Sequence, residues 1–287
     1  MTQSSSAAPE APQGVDTEKP SAARVYDWLL GGTQNWAVDR EFGRRVERMW
    51  PPIKPGARHN REFLHRAVRA ALDAGIRQFL DLGSGMPTAG NVHEVVADYL
   101  ADDERATVVY VDYEPVAAAH ATLILERQNA TEWAGLVQAD VRDPDAILDH
   151  ETTRRLIDFD RPVCVLMVAV LHFVGPDEDP GGVVAAYRDA VPPGSRLVLS
   201  HMTVGDATGE AAAGVEWFAA QYRHTTNPVW LRDRAEIESW FADWDVTEPG
   251  VTHLPDWRPV RELAPEEEIA RPFAWCGVAV KPGPGER

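Results

Sequence analysis

From Ala74 onward the chain alternates short apolar runs with stretches of helical periodicity. Such runs, rich in β-branched residues and each followed by a helical pattern, are typical of a parallel sheet covered by helices on both faces. The pattern predicts a doubly wound α/β domain over residues 75–287. The candidate strands are IRQFLDLG from 76, ATVVYVD from 106, AGLVQAD from 134, RPVCVLMVAV from 161 and SRLVLSHM from 195.

The segments between and after these strands predict helices. Asn91 with Glu94, and Asp233 with Glu236, have the spacing of a capping box at a helix start. Two more strand candidates, around 244–247 and in PFAWCGVAVKP from 272, indicate that a hairpin finishes the sheet. The helices are expected at about 92–100, 115–129, 144–157, 181–191, 209–224 and 233–242.

Residues 21–74, ahead of the sheet, carry a separate helical pattern. Apolar residues recur at helical spacing on both sides of a PPIKPG break, and Gly75 is placed to end the second helix in a left-handed cap. We therefore expect an N-terminal helical cap over residues 21–74. Residues 1–20 are rich in Ser, Ala and Pro, which predicts a disordered tail.

The charge balance argues against a polyanionic partner. The 287 residues include 28 basic and 45 acidic side chains, a formal net charge of −17. Nucleic-acid binders need a basic surface, so we expect no nucleic-acid partner. Four arginines on the second N-terminal helix are read as a solvated face and not as a basic groove: Arg58, Arg61, Arg66 and Arg69.

Cysteine usage and hydropathy indicate a cytoplasmic protein. Cys164 and Cys276 each lie in an apolar run, which suggests free core thiols in a reducing compartment. The N-terminus lacks signal-peptide features, and the longest apolar run, from Pro162, is too short to span a bilayer. We expect no membrane partner and, without metal-ligand spacing, no metal site; the oligomeric state stays open.

The string FLDLGSGMPT contains the strongest chemical signal, because an apolar strand runs directly into Gly83-Ser84-Gly85 before a helix. Glycines allow the backbone to approach a ligand closely, and helix starts expose N–H groups to it. A tight strand-to-helix turn is the alternative interpretation. Asp112, which ends the second strand, favours a nucleotide, since an acid in that position accepts hydrogen bonds from ribose hydroxyls in α/β folds.

Asp140 and Val141 follow the third strand, where a carboxylate and a backbone N–H suit an adenine edge. Alternatively, Asp140 or Asp143 only caps the helix that starts at Pro144. These features all lie at carboxyl ends of strands, the edge where open α/β sheets bind ligands. The dinucleotide fingerprint requires glycine where this chain has Thr88, which argues against a nicotinamide cofactor.

The loop resembles the D/E-x-G-x-G-x-G motif of class I S-adenosylmethionine methyltransferases, with Asp81, Gly83 and Gly85 matching and Pro87 replacing the last glycine. The resemblance extends to one actinobacterial family of these enzymes that was formerly catalogued as a domain of unknown function, and it covers nearly the whole chain after the tail. The strings that carry it are SAARVYDWLLGGTQNWAVDREF from 21, RHNREFLHRAVR from 58, GIRQFLDLGSGMPTAGNVHEVV from 75 and VVYVDYEPVA from 108.

The resemblance implies a mostly parallel, seven-stranded class I methyltransferase sheet with an N-terminal helical cap. It also implies a set of cofactor contacts. Asp81 would meet the amino group of the methionine part, and Gly83-Ser84-Gly85 would admit the methionine chain. The remaining implied contacts are Asp112 with the ribose, Tyr113 beside the adenine, Asp140 and Val141 with the base, and Ala169 to His172 near the sulfonium.

Polar residues and glycines crowd the short helix around Arg24 and Tyr26. We hypothesise that this segment folds over the open edge of the cofactor site and that Arg24 or Tyr26 contacts the cofactor or substrate. The alternative is a packed appendage capped by Asn35.

Two histidines are candidate bases, since His172 follows strand four and His201 follows strand five. His172 is the preferred catalytic candidate, although either histidine can serve as a structural hydrogen bonder. Methyl transfer can also proceed without a base, by proximity and alignment.

Trp217 and Tyr222 are candidates for an aromatic wall around a planar acceptor, with core packing as the alternative.

Together these features predict an enzyme that transfers a methyl group from S-adenosylmethionine to a small-molecule acceptor by direct displacement and leaves S-adenosylhomocysteine. A cofactor-binding sensor or scaffold without catalysis is the first alternative. A nicotinamide-dependent oxidoreductase is the second. The acceptor and the methylated atom are not predicted, because function depends on the site and not on the sheet.

Overall fold

The computed structural model describes residues 18–87, 90–101, 104–223, 225–283 and 285. The predicted tail lies outside the described residues except for its last three positions, 18–20. Thr88, which argued against a dinucleotide site, also lies outside them.

A mixed sheet forms the centre of the fold. Its strands are β1 Gln78–Leu82, β2 Thr107–Asp112, β3 Ala134–Gln138, β4 Cys164–Val168, β5 Arg196–Met202, β6 Asp245–Val246, β7 Thr252–His253 and β8 Ala274–Val280. The order is β3-β2-β1-β4-β5-β8-β6, and β7 pairs with β8 beside this path. The first five strands are parallel, whereas β8 runs antiparallel to β5, β6 and β7.

The predicted doubly wound, mostly parallel class I sheet is therefore confirmed. The expected seven strands become eight because β7 was not predicted. That strand has two residues, too few to produce an alternating apolar pattern. It forms by pairing with the edge of β8, with Thr252 opposite Cys276.

Helices cover the sheet. They are α1 Ala22–Leu29, α2 Ala37–Met49, α3 Ile53–Asp73, α4 Val92–Tyr99, α5 Pro115–Arg127, α6 Pro144–Leu148, α7 Glu151–Leu156, α8 Pro180–Ala190, α9 Gly209–Tyr222, α10 Arg234–Ser239 and α11 Pro265–Glu268. Short 3-10 turns occupy Leu171–Phe173, Pro176–Glu178, Leu254–Asp256 and Arg271–Phe273. Within the part of the chain that the structure describes, no helix is long and apolar enough to cross a membrane.

Local signals in the sequence account for several helix ends. Gly75 follows α3 with φ +83°, the predicted left-handed cap. The Asn91 amide donates to Glu94 Oε2 at 2.9 Å as α4 begins. The single helix predicted at 144–157 is instead split into α6 and α7, because the His150 imidazole accepts from the Thr152 amide and starts a new helix.

The strands are apolar on both sides because helices cover both faces. Along β1, Leu80 and Leu82 pack into one core with α8, while Phe79 packs into the other with α3. A third cluster joins α1, α2 and the start of α3 to α9. The N-terminal helices are thus held over the end of the sheet where β1, β4 and β5 finish.

Candidate active site

A cavity of about 500 Å³ opens at the carboxyl ends of the parallel strands, beneath α1 and α3. This volume lies within the range of sites for small ligands and cofactors, roughly 300–1,000 Å³. The lining combines residues from the loops after β1, β2, β3 and β4 with residues from α1, α3 and α9. The cavity therefore lies at the sheet edge where the sequence predicted a site.

The glycine loop after β1 is tied to β2. The amides of Gly83 and Ser84 both donate to the Val111 carbonyl, at 2.8 and 3.0 Å. Gly83 has φ +71°, and a Cβ there would lie 2.3 Å from Val170 Cγ2. Gly85 has φ +67° and open space where a Cβ would lie. The first glycine thus permits close packing, and the second leaves room in a backbone conformation that other residues rarely adopt.

Asp112 ends β2 and lines the same cavity. Its Oδ2 accepts from the Gly85 amide at 2.7 Å, and its Oδ1 accepts from the Glu114 amide at 2.9 Å. Burial raises the pKa of this carboxyl group, and the backbone donors partly oppose that rise. The structure therefore brings Asp112 and the glycine loop together, as the sequence predicted for a nucleotide site.

Asp81, on β1, is also buried at the cavity wall. Burial raises the pKa of its carboxyl group to about 7; Arg61 opposes this shift and the nearby Asp112 adds to it. Arg61 projects from α3 and lines the cavity as well. A carboxyl group and a guanidinium group therefore lie at the end of the cavity that the glycine loop borders.

The sequence did not identify Arg61 as a site residue. It placed four α3 arginines on a solvated face, which holds for the exposed Arg58 and Arg69. For Arg66 the expectation is wrong: its guanidinium is buried and donates to the carbonyls of Trp257 and Leu254, at 2.9 and 2.6 Å. Residues 254–257 cover this side of α3, and the sequence pattern around Arg66 does not predict that contact.

Asp140 and Val141 line the cavity after β3. The Asp140 carboxylate accepts from the backbone amide and from the Nε of Arg142, at 2.9 and 2.8 Å, and these bonds lower its pKa. Asp143, and not Asp140, caps α6 by accepting from the Ala146 amide at 3.1 Å. The sequence left Asp140 and Asp143 as alternative caps of this helix, and the structure shows Asp143 in that role.

A chain of hydrogen bonds connects the N-terminal helices to the end of β4. The Ala169 amide donates to Ser200 Oγ at 2.9 Å, and that hydroxyl donates to Asn60 Oδ1 at 2.6 Å. Asn60 Nδ2 donates to the Tyr26 hydroxyl at 3.0 Å, which in turn donates to the Ala57 carbonyl at 3.1 Å. Tyr26 and Ala169 line the cavity, and Ala169 is held with φ +59°.

The two candidate bases are buried side by side. The rings of His172 and His201 are 5.6 Å apart, and both residues line the cavity. Burial, with a contribution from the Arg232 charge, lowers the pKa of His172 to about 3. His201 is held by the Met202 carbonyl and by Arg232, at 2.6 and 3.1 Å, whereas His172 Nδ1 has no hydrogen-bond partner among the described residues.

Arg24 does not belong to the described cavity lining. Its Nε donates to Asp39 Oδ2 at 2.8 Å, and its Nη1 donates to Glu114 Oε1 at 2.6 Å. These side chains are almost fully buried. Arg24 therefore joins α1 and α2 to the start of α5, two residues after Asp112, and Tyr26 is the member of the pair that reaches the cavity.

The end of the cavity away from the glycine loop is aromatic. Tyr222, proposed from the sequence as part of an aromatic wall, lines this end. Trp217 is half-buried in the cluster of α9 and the N-terminal helices and is not part of the described lining. Tyr113, the predicted neighbour of adenine, also lines the cavity, is 45% exposed and hydrogen-bonds to Asn227 through its hydroxyl.

Comparison with known proteins points to one family. A sequence model described as S-adenosyl methyltransferase matches residues 8–282. A structure from Thermobifida fusca YX, solved as that of a candidate methyltransferase, is 37% identical with a TM-score of 0.85, over 95% of this chain and 98% of that one. A DUF574 family protein from Streptomyces avermitilis MA-4680 is 34% identical with a TM-score of 0.83, over 93% and 99%. No curated protein matches the chain.

Proposed function

The chain belongs to the S-adenosyl methyltransferase family, and on that basis we propose that it transfers the methyl group of S-adenosylmethionine to a small-molecule acceptor by direct displacement. Membership of this family makes the chain an S-adenosylmethionine-dependent methyltransferase. The proposal adds that the acceptor is a small molecule and that the transfer is a direct displacement. The observation that carries the proposal is the placement of Asp81, Gly85 and Asp112 around one cavity that extends beyond them into an apolar end.

The residues at the glycine-loop end fit the cofactor. Gly85 leaves open space beside its backbone, and the buried Ser84 hydroxyl has no protein partner within the described residues. Asp112 would accept from the ribose hydroxyls, as acids at this position do in nucleotide-binding α/β folds. Asp81 would bind the amino group of the methionine part, and Arg61 its carboxylate, since each opposes the charge it meets.

The adenine would lie between the loops after β2 and β3. Tyr113 offers an aromatic face there, and Val141 a backbone amide. The Asp140 carboxylate already binds Arg142, so it would reach the base only by sharing its oxygens between two donors. We therefore assign the base contact chiefly to Tyr113 and Val141, with Asp140 fixing the loop.

S-adenosylmethionine supplies a methyl group on a positively charged sulfur, which makes that carbon a strong electrophile. The protein's contribution is to align the acceptor and to exclude water. The bonds from Ala169 through Ser200 and Asn60 hold the end of β4 against α3, and α1 covers the opening. His172 is proposed as a neutral group that accepts a hydrogen bond from the acceptor, because so low a pKa makes it a weak base.

The proposal is tested with two measurements on the full chain. Calorimetry with S-adenosylhomocysteine and with NAD should show binding of the first only. Incubation with methyl-labelled S-adenosylmethionine and fractionated small metabolites should transfer label to at least one fraction. Tight binding without any transfer would favour the sensor or scaffold alternative, and NAD binding without S-adenosylhomocysteine binding would favour the oxidoreductase.

A further inference from the structure

The two ends of the cavity differ in charge. Its charged lining residues lie beside the loops after β1, β2 and β3, together with the turn that follows β4: Arg61, Asp81, Asp112, Glu114, Asp140, Arg142, Asp177 and Glu178. The other end is bounded by α1, by Trp50 and the start of α3, by α9, and by the turn Arg271–Phe273 that leads into β8. Within the described lining, that end has no lysine, arginine, aspartate or glutamate.

We define this second end as the aromatic chamber, lined by Leu29, Trp50, Ile53, Phe173, Phe218, Tyr222 and Phe273. Its rings form a continuous series. The Trp50 ring lies 5.1 Å from Phe273 and 4.8 Å from Phe218. The Tyr222 ring is 4.8 Å from Phe218 and 6.2 Å from Phe173. Aromatic surfaces thus run from Phe273, just before β8, to Phe173 in the first 3-10 turn after β4, whereas the charged Asp177 and Glu178 lie in the second.

Two polar side chains at the border of the chamber, Tyr26 and Asn60, are already paired. The Tyr26 hydroxyl bonds to Ala57 and Asn60, and the Asn60 oxygen bonds to Ser200. An ion moved from water into the chamber would lose its hydration without gaining a partner of opposite charge, and this desolvation is costly. The chamber therefore selects against charged occupants.

Its walls also select for shape. Aromatic rings at these separations offer faces and edges to a flat occupant, and such ring contacts add to the gain from apolar burial. Two buried ring nitrogens of the lining have no partner among the described residues, Trp50 Nε1 in the chamber wall and His172 Nδ1 at the border with the charged end. A polar group that donates a hydrogen bond would be directed toward His172 and the end of β4, because the Trp50 indole can only donate.

Building on the proposed function, we infer that the methyl acceptor is a neutral, flat aromatic molecule with one hydroxyl or nitrogen that receives the methyl group, and that its ring occupies the aromatic chamber. In the reaction a lone pair of that oxygen or nitrogen forms the bond to the methyl carbon. The electrons of the broken carbon–sulfur bond remain on sulfur, and the proton of the accepting group is released to solvent as the methylated product leaves the cavity.

The test uses three probes of matched apolar size on the full chain saturated with S-adenosylhomocysteine. These are 2-naphthol (flat and neutral), naphthalene-2-carboxylate (flat and charged) and 1-decanol (neutral and not flat). We expect calorimetry to show 2-naphthol binding at least tenfold more tightly than either of the others. Equal or tighter binding of the carboxylate overturns the charge argument, and equal or tighter binding of decanol overturns the shape argument.

A variant pair locates the probe. Phe173→Leu removes a half-buried ring of the chamber and should weaken 2-naphthol binding severalfold while thermal melting stays close to wild type. Phe159→Leu is the matched control, because Phe159 is also half-buried but packs in the core near Arg154. Equal effects of the two variants would place the probe outside the chamber and reject the inference.

The outcome separates the two levels of proposal. Titration with S-adenosylhomocysteine alone reports on the proposed function and does not depend on the chamber. If S-adenosylhomocysteine binds but the naphthol preference is absent, only the acceptor class is rejected. If S-adenosylhomocysteine does not bind, the proposed function fails, and the probe series on the ligand-free chain still reports on the chamber.

Discussion

The Gly85 amide donates to the Asp112 carboxylate across 2.7 Å. This bond joins the loop after β1 to the end of β2, so the two features that we propose to bind the nucleotide part of the cofactor form one unit before any ligand arrives. A second backbone donor, the Glu114 amide at 2.9 Å, holds the other carboxylate oxygen. The Asp112 side chain is therefore oriented by the protein, which reduces what must be ordered when a ligand binds.

Replacing Asp112 with alanine should weaken S-adenosylhomocysteine binding by about 1–3 kcal/mol, the range for hydrogen bonds that involve a charged group. Isothermal calorimetry measures the change. Asp145→Ala, a removal of an exposed acid on α6, is the matched control and should leave the affinity unchanged. An Asp112→Ala protein that keeps wild-type affinity would remove the ribose assignment.

The affinity for S-adenosylhomocysteine should rise between pH 6 and pH 8. The pKa of Asp81 is raised to about 7, so its carboxyl group is mostly protonated at pH 6 and ionised at pH 8. Only the ionised form attracts the cationic amino group of the ligand, and the dependence approaches about tenfold per pH unit well below the pKa. Calorimetry across this range should show the rise in wild type and a flat profile in Asp81→Asn. A flat wild-type profile would contradict the assignment.

Arg61 should bind the carboxylate of the methionine part. Arg61→Met is therefore expected to weaken S-adenosylhomocysteine by about 1.5–3 kcal/mol, while 5′-methylthioadenosine, which lacks the amino-acid group, should bind both proteins equally. Arg58→Met, on the same helix but exposed, is the control and should change neither affinity. If Arg61→Met weakens both ligands alike, the arginine supports the site as a whole and has no specific contact.

The sheet was predictable from sequence because its signals are local. Apolar runs and helix starts fixed the five parallel strands, and Gly83, Gly85 and Asp112 stood out because each lies at a strand end. The part of the site contributed by α3 was not predictable. Arg61 and Asn60 belong to a helix whose orientation is set by packing against the sheet and against α9, and neighbouring residues in the sequence do not encode that orientation.

Contacts over long sequence separations were missed for the same reason. Arg66 looked like a surface residue because the segment that covers it is 188 residues away. Asp140 and Asp143 were equivalent in the sequence, and only the local path of the chain decided that Asp143 caps α6. The glycine loop tolerates Pro87 in place of the usual third glycine, since the bonds to Val111 and Asp112 precede it.

His172 should remain neutral over the whole physiological range. Burial and the Arg232 charge lower its pKa from the usual 6.5 to about 3, so the imidazole gains a proton only in strongly acidic solution. NMR titration of the histidine ring protons, with His172→Gln to assign the signal, should show no midpoint for this residue between pH 5 and 8. A midpoint near 6.5 would restore His172 as an ordinary titrating base.

Arg24 should act on the site through stability and not by touching the ligand. Arg24→Met leaves the buried Asp39 and Glu114 carboxylates without their guanidinium, and breaking a buried pair in this way costs about 3–5 kcal/mol. Chemical denaturation should record that loss, whereas Arg44→Met, an exposed arginine on α2, should not change stability.

The double variant Arg24→Met with Glu114→Gln should recover part of the lost stability, since it removes one of the two unpaired charges. Affinity for S-adenosylhomocysteine should fall in Arg24→Met and recover in parallel, because Glu114 lies two residues after Asp112 and fixes that loop. The hypothesis of direct contact predicts the opposite pattern, in which affinity falls at unchanged stability and the second substitution restores nothing. Stability and S-adenosylhomocysteine affinity, measured on wild type, Arg24→Met and the double variant, therefore distinguish a buried structural ion pair from a ligand contact.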